Sequence, residues 1–350
     1  MKKQSRSSSW FSFRRGDLQQ PQAVEWQSTP AHYYMPVLLA LLPSLGFAAE
    51  GNIYGGPVGG TDIRNAYLPQ SPGLYGGLVG VYGNASSAYN NNGQVNGPVH
   101  VTVNAGVTAA SLTYVYPFKI FDGIIATTFQ QAFYIDHAKI GRNSSYDSGF
   151  GDLYSDLLSW SHYVGPLFGD AASSTPGSIT PKLPYGLTVK VAYSMIFPTG
   201  HYSTSQPAPP GHNDFFFIPN AAATYLTPPN RFGDGFEFDA HFFMDFAAKN
   251  PKTDYKTGTV ADLDFAVTNR VGRSQFGLAG FYAEQISPDH RGGVLVAPEG
   301  RHLRNLSLGP VLAYDFPEQR ATIKLKILVP VELRNTLNTT RVILGYGLKF

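Results

Sequence analysis

The last ten residues constrain this 350-residue chain more than any other stretch. From Arg341 to Phe350, Val342, Leu344, Tyr346, Leu348 and Phe350 fall on one face of an extended chain. Arg341, Ile343, Gly345, Gly347 and Lys349 fall on the other. A helix repeats every 3.6 residues and would mix the two sets, whereas a strand, with a period of two, separates them. Such a strand needs a second sheet or lipid to cover its apolar face.

The same alternation recurs along the chain. Ile323, Leu325, Ile327 and Val329 oppose Thr322, Lys324, Lys326 and Leu328. Leu187, Val189, Val191, Tyr193, Met195 and Phe197 oppose Thr188, Lys190, Ala192, Ser194 and Ile196. Phe236, Phe238, Ala240, Phe242, Met244 and Phe246 oppose Glu237, Asp239, His241, Phe243 and Asp245, and Leu263, Phe265 and Val267 oppose Asp262, Asp264, Ala266 and Thr268.

Composition chooses between the two covers. The chain is only 14% charged, against about 25% in soluble proteins. Its mean hydropathy of −0.13 is far too low for a bundle of membrane helices. Tyr (21) and Phe (24) are abundant and sit near the ends of the apolar faces, as an aromatic girdle requires. The expected fold is therefore all-β: an antiparallel up-and-down transmembrane barrel of the outer-membrane type. About twelve strands are expected, centred near Val79, Ser111, Phe129, Leu157, Val191, Ala222, His241, Phe265, Gly280, Leu308, Leu325 and Tyr346. Long polar runs at 84–97, 198–211, 249–258 and 287–300 alternate with tight turns at 270–273 and 316–318, as outer loops alternate with periplasmic turns. The Pro/Ser/Gly-rich run 165–182 is an enlarged turn on the short side, or a sign of a miscount there.

Before the first strand, residues 35–49 are an apolar run ending in small residues. They read as a signal peptide cleaved after Ala48 or Ala49, with residues 1–34 an N-terminal extension. Residues 50–72, with Gly55, Gly56, Pro57, Gly59 and Gly60, read as an irregular arm that either plugs the lumen or trails in the periplasm. Residues 73–350 form the barrel.

Several chemistries find no support. Cysteine is absent, and no P-loop, EF-hand, H-E-x-x-H or G-x-S-x-G pattern occurs, so no cofactor and no metal is expected. Lys2, Lys3, Arg6, Arg14 and Arg15 against Asp17 and Glu25 give residues 1–49 a charge of +3, so the total of +2 leaves −1 for the rest and no reason to expect nucleic acid. Asp136-His137 and Asp289-His290 each set a carboxylate beside an imidazole in an expected outer loop. Neighbours in an extended chain point apart, however, so no enzyme and no catalytic residue is expected.

Glu237, Asp239, His241, Asp245, Asp262 and Asp264 would line the lumen from two adjacent strands, and Lys324, Lys326, Arg341 and Lys349 from the last two, with Lys190 elsewhere. Such walls either set a transverse field across a permeant or pair across the lumen and brace a narrow barrel. Phe215, Phe216 and Phe217 read as lipid-facing girdle. Tyr346, Leu348 and Phe350 resemble the C-terminal signal read by the barrel-assembly machinery.

Longer motifs carry a family resemblance: G-F-G-D-L-Y (149–154), I-P-N-A-A-A-T-Y-L-T (218–227), F-D-A-H-F-F-M-D-F-A-A-K-N (238–250), T-D-Y-K-T-G (253–258) and F-G-L-A-G-F-Y-A-E-Q-I-S-P-D (276–289), with P-G-L-Y (72–75) and the closing G-Y-G-L-K-F. In order and spacing they resemble the outer-membrane phenol meta-pathway degradation family. The resemblance implies a barrel in outer-membrane lipid for passive uptake of hydrophobic or aromatic small molecules. The charged stripe leaves open a narrow porin-like channel for small polar or charged solutes.

Overall fold

The computed structural model describes residues 50, 54–97, 100–141, 143–167, 183–206, 208–296 and 300–349. The expected leader and extension (1–49), most of the 165–182 run, Phe350 and the side chain of Lys349 lie outside the described residues.

Twelve strands form a closed barrel: β1 (Gly73–Ala88), β2 (Val101–Ile120), β3 (Gly123–Ile140), β4 (Asn143–Gly165), β5 (Gly186–Phe197), β6 (Phe216–Leu226), β7 (Gly235–Ala247), β8 (Val260–Val271), β9 (Ser274–Gln285), β10 (Arg304–Phe316), β11 (Ala321–Arg334) and β12 (Leu337–Lys349). Each pairs antiparallel with its sequence neighbours. β12 closes on β1 in a register running from Tyr75↔Lys349 to Asn84↔Thr340. Closure leaves no edge strand, which is what hydrocarbon demands of a sheet. All twelve expected strand centres fall inside these strands.

The alternation partitions as the sequence requires. Leu78, Leu112, Phe129, Val191, Phe242, Leu278, Leu325 and Leu344 are exposed on the outer wall, while the intervening residues are buried inside. A sandwich would have covered both faces. Aromatic contacts gather toward the strand ends. Tyr114, Tyr116 and Phe118 meet edge-on or tilted in series toward the turn end, as Tyr314 and Phe316 meet edge-on. Toward the loop end lie the pairs Phe133–Phe150 and Phe197–Phe215. These are the two belts where amphipathic rings meet the membrane interfaces.

β2, β3 and β4 run to 20, 18 and 23 residues, against about ten needed to cross the bilayer. The Asp136-His137 pair therefore lies within β3, not in an outer loop as expected. Adjacent residues of a strand face opposite ways. Asp136 is buried inside, and His137 stacks on Tyr146 with ring centroids 4.2 Å apart. The Phe215–Phe217 run is corrected by the same alternation: Phe215 and Phe217 face outward, and Phe216 faces inward. Among the loops, Tyr255–Lys256, His290–Arg291 and Val294–Leu295 make a small three-stranded sheet that ties two long outer connections together.

Candidate functional site

Every inward position of a narrow barrel points at the same axis, so charged residues far apart in sequence converge there. Glu237, Asp239, His241 and Asp245 of β7, Asp262 and Asp264 of β8, Lys190 of β5, Lys324 and Lys326 of β11, and Arg341 of β12 are all buried. The two acidic strands adjoin, with His241 opposite Asp264 in the register. The acidic and basic groups do not form direct ion pairs with each other among the described residues. Residues 54–68 lie between them.

This arm is irregular because Gly, Pro and alternating charge give it neither helical nor strand periodicity. Its fixed shape comes from the wall. Gly59 N and Thr61 N donate to Asp264 at 2.9 and 2.8 Å, and Thr61 Oγ1 donates to the same carboxylate at 2.6 Å. Arg64 N donates to Glu237 Oε1 at 2.9 Å. The Arg64 guanidinium forks onto Asp315 of β10 at 3.0 and 2.9 Å, and its Nε reaches Gln275 of β9 at 2.9 Å. Asp62 receives Lys324 at 2.6 Å on one oxygen and Lys326 at 2.5 Å on the other, and Lys326 Nζ also donates to Gly59 O. Further along, Ser161 of β4 donates to Ala66 O at 2.6 Å.

Two backbone features mark the fit. Val58 has φ 52° and Arg64 φ 61°, left-handed conformations that cost about 1–3 kcal/mol in a non-glycine residue and persist only where surroundings enforce them. At Gly56, a Cβ would lie 2.3 Å from Asp262 Oδ2, so only glycine lets the backbone approach that carboxylate.

Three other inward groups have local partners. His241 Nε2 meets Asn220 Oδ1 at 2.9 Å, Thr224 donates to Asp239 at 2.5 Å, and the Arg341 guanidinium sits 5.4 Å from the Phe281 ring centroid. Asp156, held by Ser194 and Tyr154 at 2.5 Å each, and Asp315 belong to the same interior and were not singled out from sequence.

Toward the loop end the interior changes character. Tyr134, Tyr154, Ile196, Phe216, Ile218, Phe243 and Phe281 form one buried apolar cluster, into which Tyr54 and Val58 of the arm are packed. None of these inward aromatics was anticipated as lining. The alternation placed Phe243 and Ile196 on the inner face, among charged and polar neighbours.

At the outer rim, Asp152 accepts Gly200 N at 2.7 Å, His212 N at 2.8 Å and His212 Nδ1 at 2.5 Å. The second sequence-adjacent pair is structural. Asp289 is wholly buried and receives Tyr255, Gly258 and Gln285, while His290 Nδ1 meets Pro288 O.

The sequence profile of the family described as "Putative MetA-pathway of phenol degradation" matches residues 85–344. The chain belongs to this family. Among solved structures, an outer membrane channel from Pseudomonas putida F1 superposes with a TM-score of 0.67 at 13% identity, covering 83% of this chain and 100% of that one. That likeness shows the fold of this family member to be an outer-membrane channel fold. The translocator domain of the autotransporter NalP from Neisseria meningitidis gives 0.45 at 9% identity over 80% and 90% of the two chains. A mutant of the TodX monoaromatic hydrocarbon channel gives 0.38 at 10% identity over 87% and 99%. No curated protein matches the sequence.

Proposed function

We propose that this barrel takes up hydrophobic, single-ring aromatic molecules passively across the outer membrane, without chemistry on the permeant. The observation that carries this reading is the loop-end interior, where inward Tyr134, Phe216, Phe243 and Phe281 wall an apolar passage occupied by Tyr54 and Val58 of the arm. A family described by phenol degradation supplies the matching class of solute. In this reading residues 54–68 are the plug, Glu237, Asp264, Asp315, Lys324 and Lys326 are its anchorage, and uptake requires the upper arm to leave its seat. An aromatic permeant then replaces one buried aromatic contact with another, at little net cost. A channel for polar solutes is disfavoured, because Glu237, Asp264, Lys324 and Lys326, which would line it, are engaged with the arm. The closing residues Tyr346, Leu348 and Phe350 are proposed to address the chain to the barrel-assembly machinery.

The test is uptake of labelled toluene or phenol by cells with an intact lipopolysaccharide leaflet, with and without the protein, beside sugar-driven swelling of proteoliposomes. Protein-dependent aromatic uptake with negligible swelling is expected. Rapid swelling without aromatic uptake refutes the reading.

A further inference from the structure

The outer connections form a partly open cavity of about 250 Å³ lined by Glu50, Tyr202, Gln206, Pro209, His212 and Arg291. About 150 Å³ is enough to hold benzene in a protein cavity, so a single substituted ring fits. The lining is held by one buried side chain. Asn250 Nδ2 lies 2.8 Å from Glu50 Oε2, 3.0 Å from Tyr202 Oη and 3.1 Å from His212 O, and Asn250 Oδ1 accepts from Asn213 and from Lys252 N. These bonds fix three walls relative to one another before any ligand arrives.

Two polar atoms of the lining have no hydrogen-bond partner among the described residues although they are buried: His212 Nε2 and Gln206 Oε1. The His212 side chain is only 4% exposed. Asp152 takes up its Nδ1 and leaves Nε2 as the nitrogen without a partner. A buried polar atom left unpaired costs free energy that a ligand recovers by pairing with it. His212 also packs edge-on against Phe216, with centroids 5.8 Å apart, so the cavity borders the apolar interior beneath it.

From this geometry we infer that the outer cavity is a capture site for a single-ring hydroxyaromatic molecule, its hydroxyl held between His212 Nε2 and Gln206 Oε1 and its ring beside Tyr202 and Pro209. A hydroxyl both donates and accepts, which suits an amide oxygen that can only accept and an imidazole nitrogen that donates when the ring is charged. Burial works against that charge, but the Asp152, Asp214 and Glu50 carboxylates outweigh it and hold His212 above its ordinary pKa. A bare hydrocarbon leaves both atoms unpaired and is selected against. The choice of an aromatic ligand rests on the proposed uptake function. The site would add discrimination by hydroxyl before entry.

The test is equilibrium binding of phenol to the purified full-length barrel in detergent, by calorimetry or saturation-transfer NMR, with anisole (ring but no O–H) and cyclohexanol (O–H but no aromatic ring) as comparisons. Saturable phenol binding is expected, at least tenfold tighter than either comparison. Losses of about tenfold are expected in His212→Ala and in Gln206→Ala. The second variant leaves the Asp152–His212 contact intact, and heat-modifiable mobility on gels confirms that each barrel is folded. No saturable binding, equal binding of anisole, or unchanged binding in Gln206→Ala overturns the site. Cellular uptake is scored separately. Binding without uptake removes the transport reading and leaves the site, and uptake with unchanged variant binding does the reverse.

Discussion

Replacing Asp62 by alanine removes the one carboxylate that serves both Lys324 and Lys326. The three side chains are 0%, 6% and 1% exposed, and the ion-pair distances are 2.6 and 2.5 Å. Removing one partner of a buried pair costs about 3–5 kcal/mol, because the surviving charge is left in a poor solvent. The lower end applies here, since a loosened arm admits water to the lysines. About 3 kcal/mol corresponds to roughly a hundredfold rise in the undocked population of the arm. Hydrogen exchange of the amides from Gly59 to Ala66 reads that population directly, and conductance in planar bilayers reads its consequence. Exchange should accelerate by about two orders of magnitude, with more frequent openings. The triple variant Asp62→Leu, Lys324→Met, Lys326→Met should restore protection, because apolar replacement of a whole buried ion cluster is often neutral or stabilising. Unchanged exchange in Asp62→Ala would refute the anchoring argument, and failure of the triple variant to recover would refute its electrostatic cause.

Other perturbations test separate parts of the structure. Gly59 has φ +78°, and a Cβ there would meet Leu328 Cδ1 at 2.5 Å and Phe281 Cδ1 at 2.8 Å, so Gly59→Val should unseat the arm and raise conductance while the barrel still folds. Leu278 is 65% exposed on the outer wall; Leu278→Arg should destabilise the barrel by about 2–4 kcal/mol in lipid, read by reversible urea unfolding into vesicles. Burial first, with help from Glu50 and Asp152 and against His212, raises Asp214 to about 7. A carboxyl whose folded pKa exceeds its unfolded value stabilises the fold fully below the unfolded value near 3.8 and loses that contribution as pH rises through 7. His212, also raised, acts in the same sense. Protection of the 212–216 amides should therefore fall from about pH 4 to about pH 7 as Asp214 ionises, and Asp214→Asn should flatten that part of the profile.

How much of this was legible in the sequence follows from what a period of two encodes. It sorts residues between wall faces, so Glu237, Asp239, Asp262, Asp264, Lys324 and Lys326 were separated from Phe238, Leu263 and Leu325 without coordinates. It does not encode where a strand stops once it leaves the bilayer. The loop-end half of β3 stays extended beyond the length that crosses a bilayer, which is why Asp136 and His137 read as a loop. Nor does it encode contacts across the lumen. Asp62 and Lys324 are 262 residues apart, and the arm that joins the two charged walls has no periodicity of its own. The Asp152–His212 pair is hidden similarly, its members 60 residues apart on β4 and a loop. Charge at inward positions was visible, but its partner was not: neither a transverse field nor pairing across the lumen allowed for an arm between the two walls.

The claim that aromatic molecules pass through the loop-end interior, past the arm, is tested most directly by pinning the arm in place. A Cβ at Gly55 would lie 3.1 Å from Phe216 Cβ, close to the separation of about 3.5–4.5 Å found in disulfides, and the chain has no other cysteine. In the Gly55→Cys, Phe216→Cys variant, uptake of a labelled aromatic by intact cells should stop on oxidation and return on reduction, with each single variant insensitive to both. Undiminished uptake through the oxidised, cross-linked barrel would contradict the account.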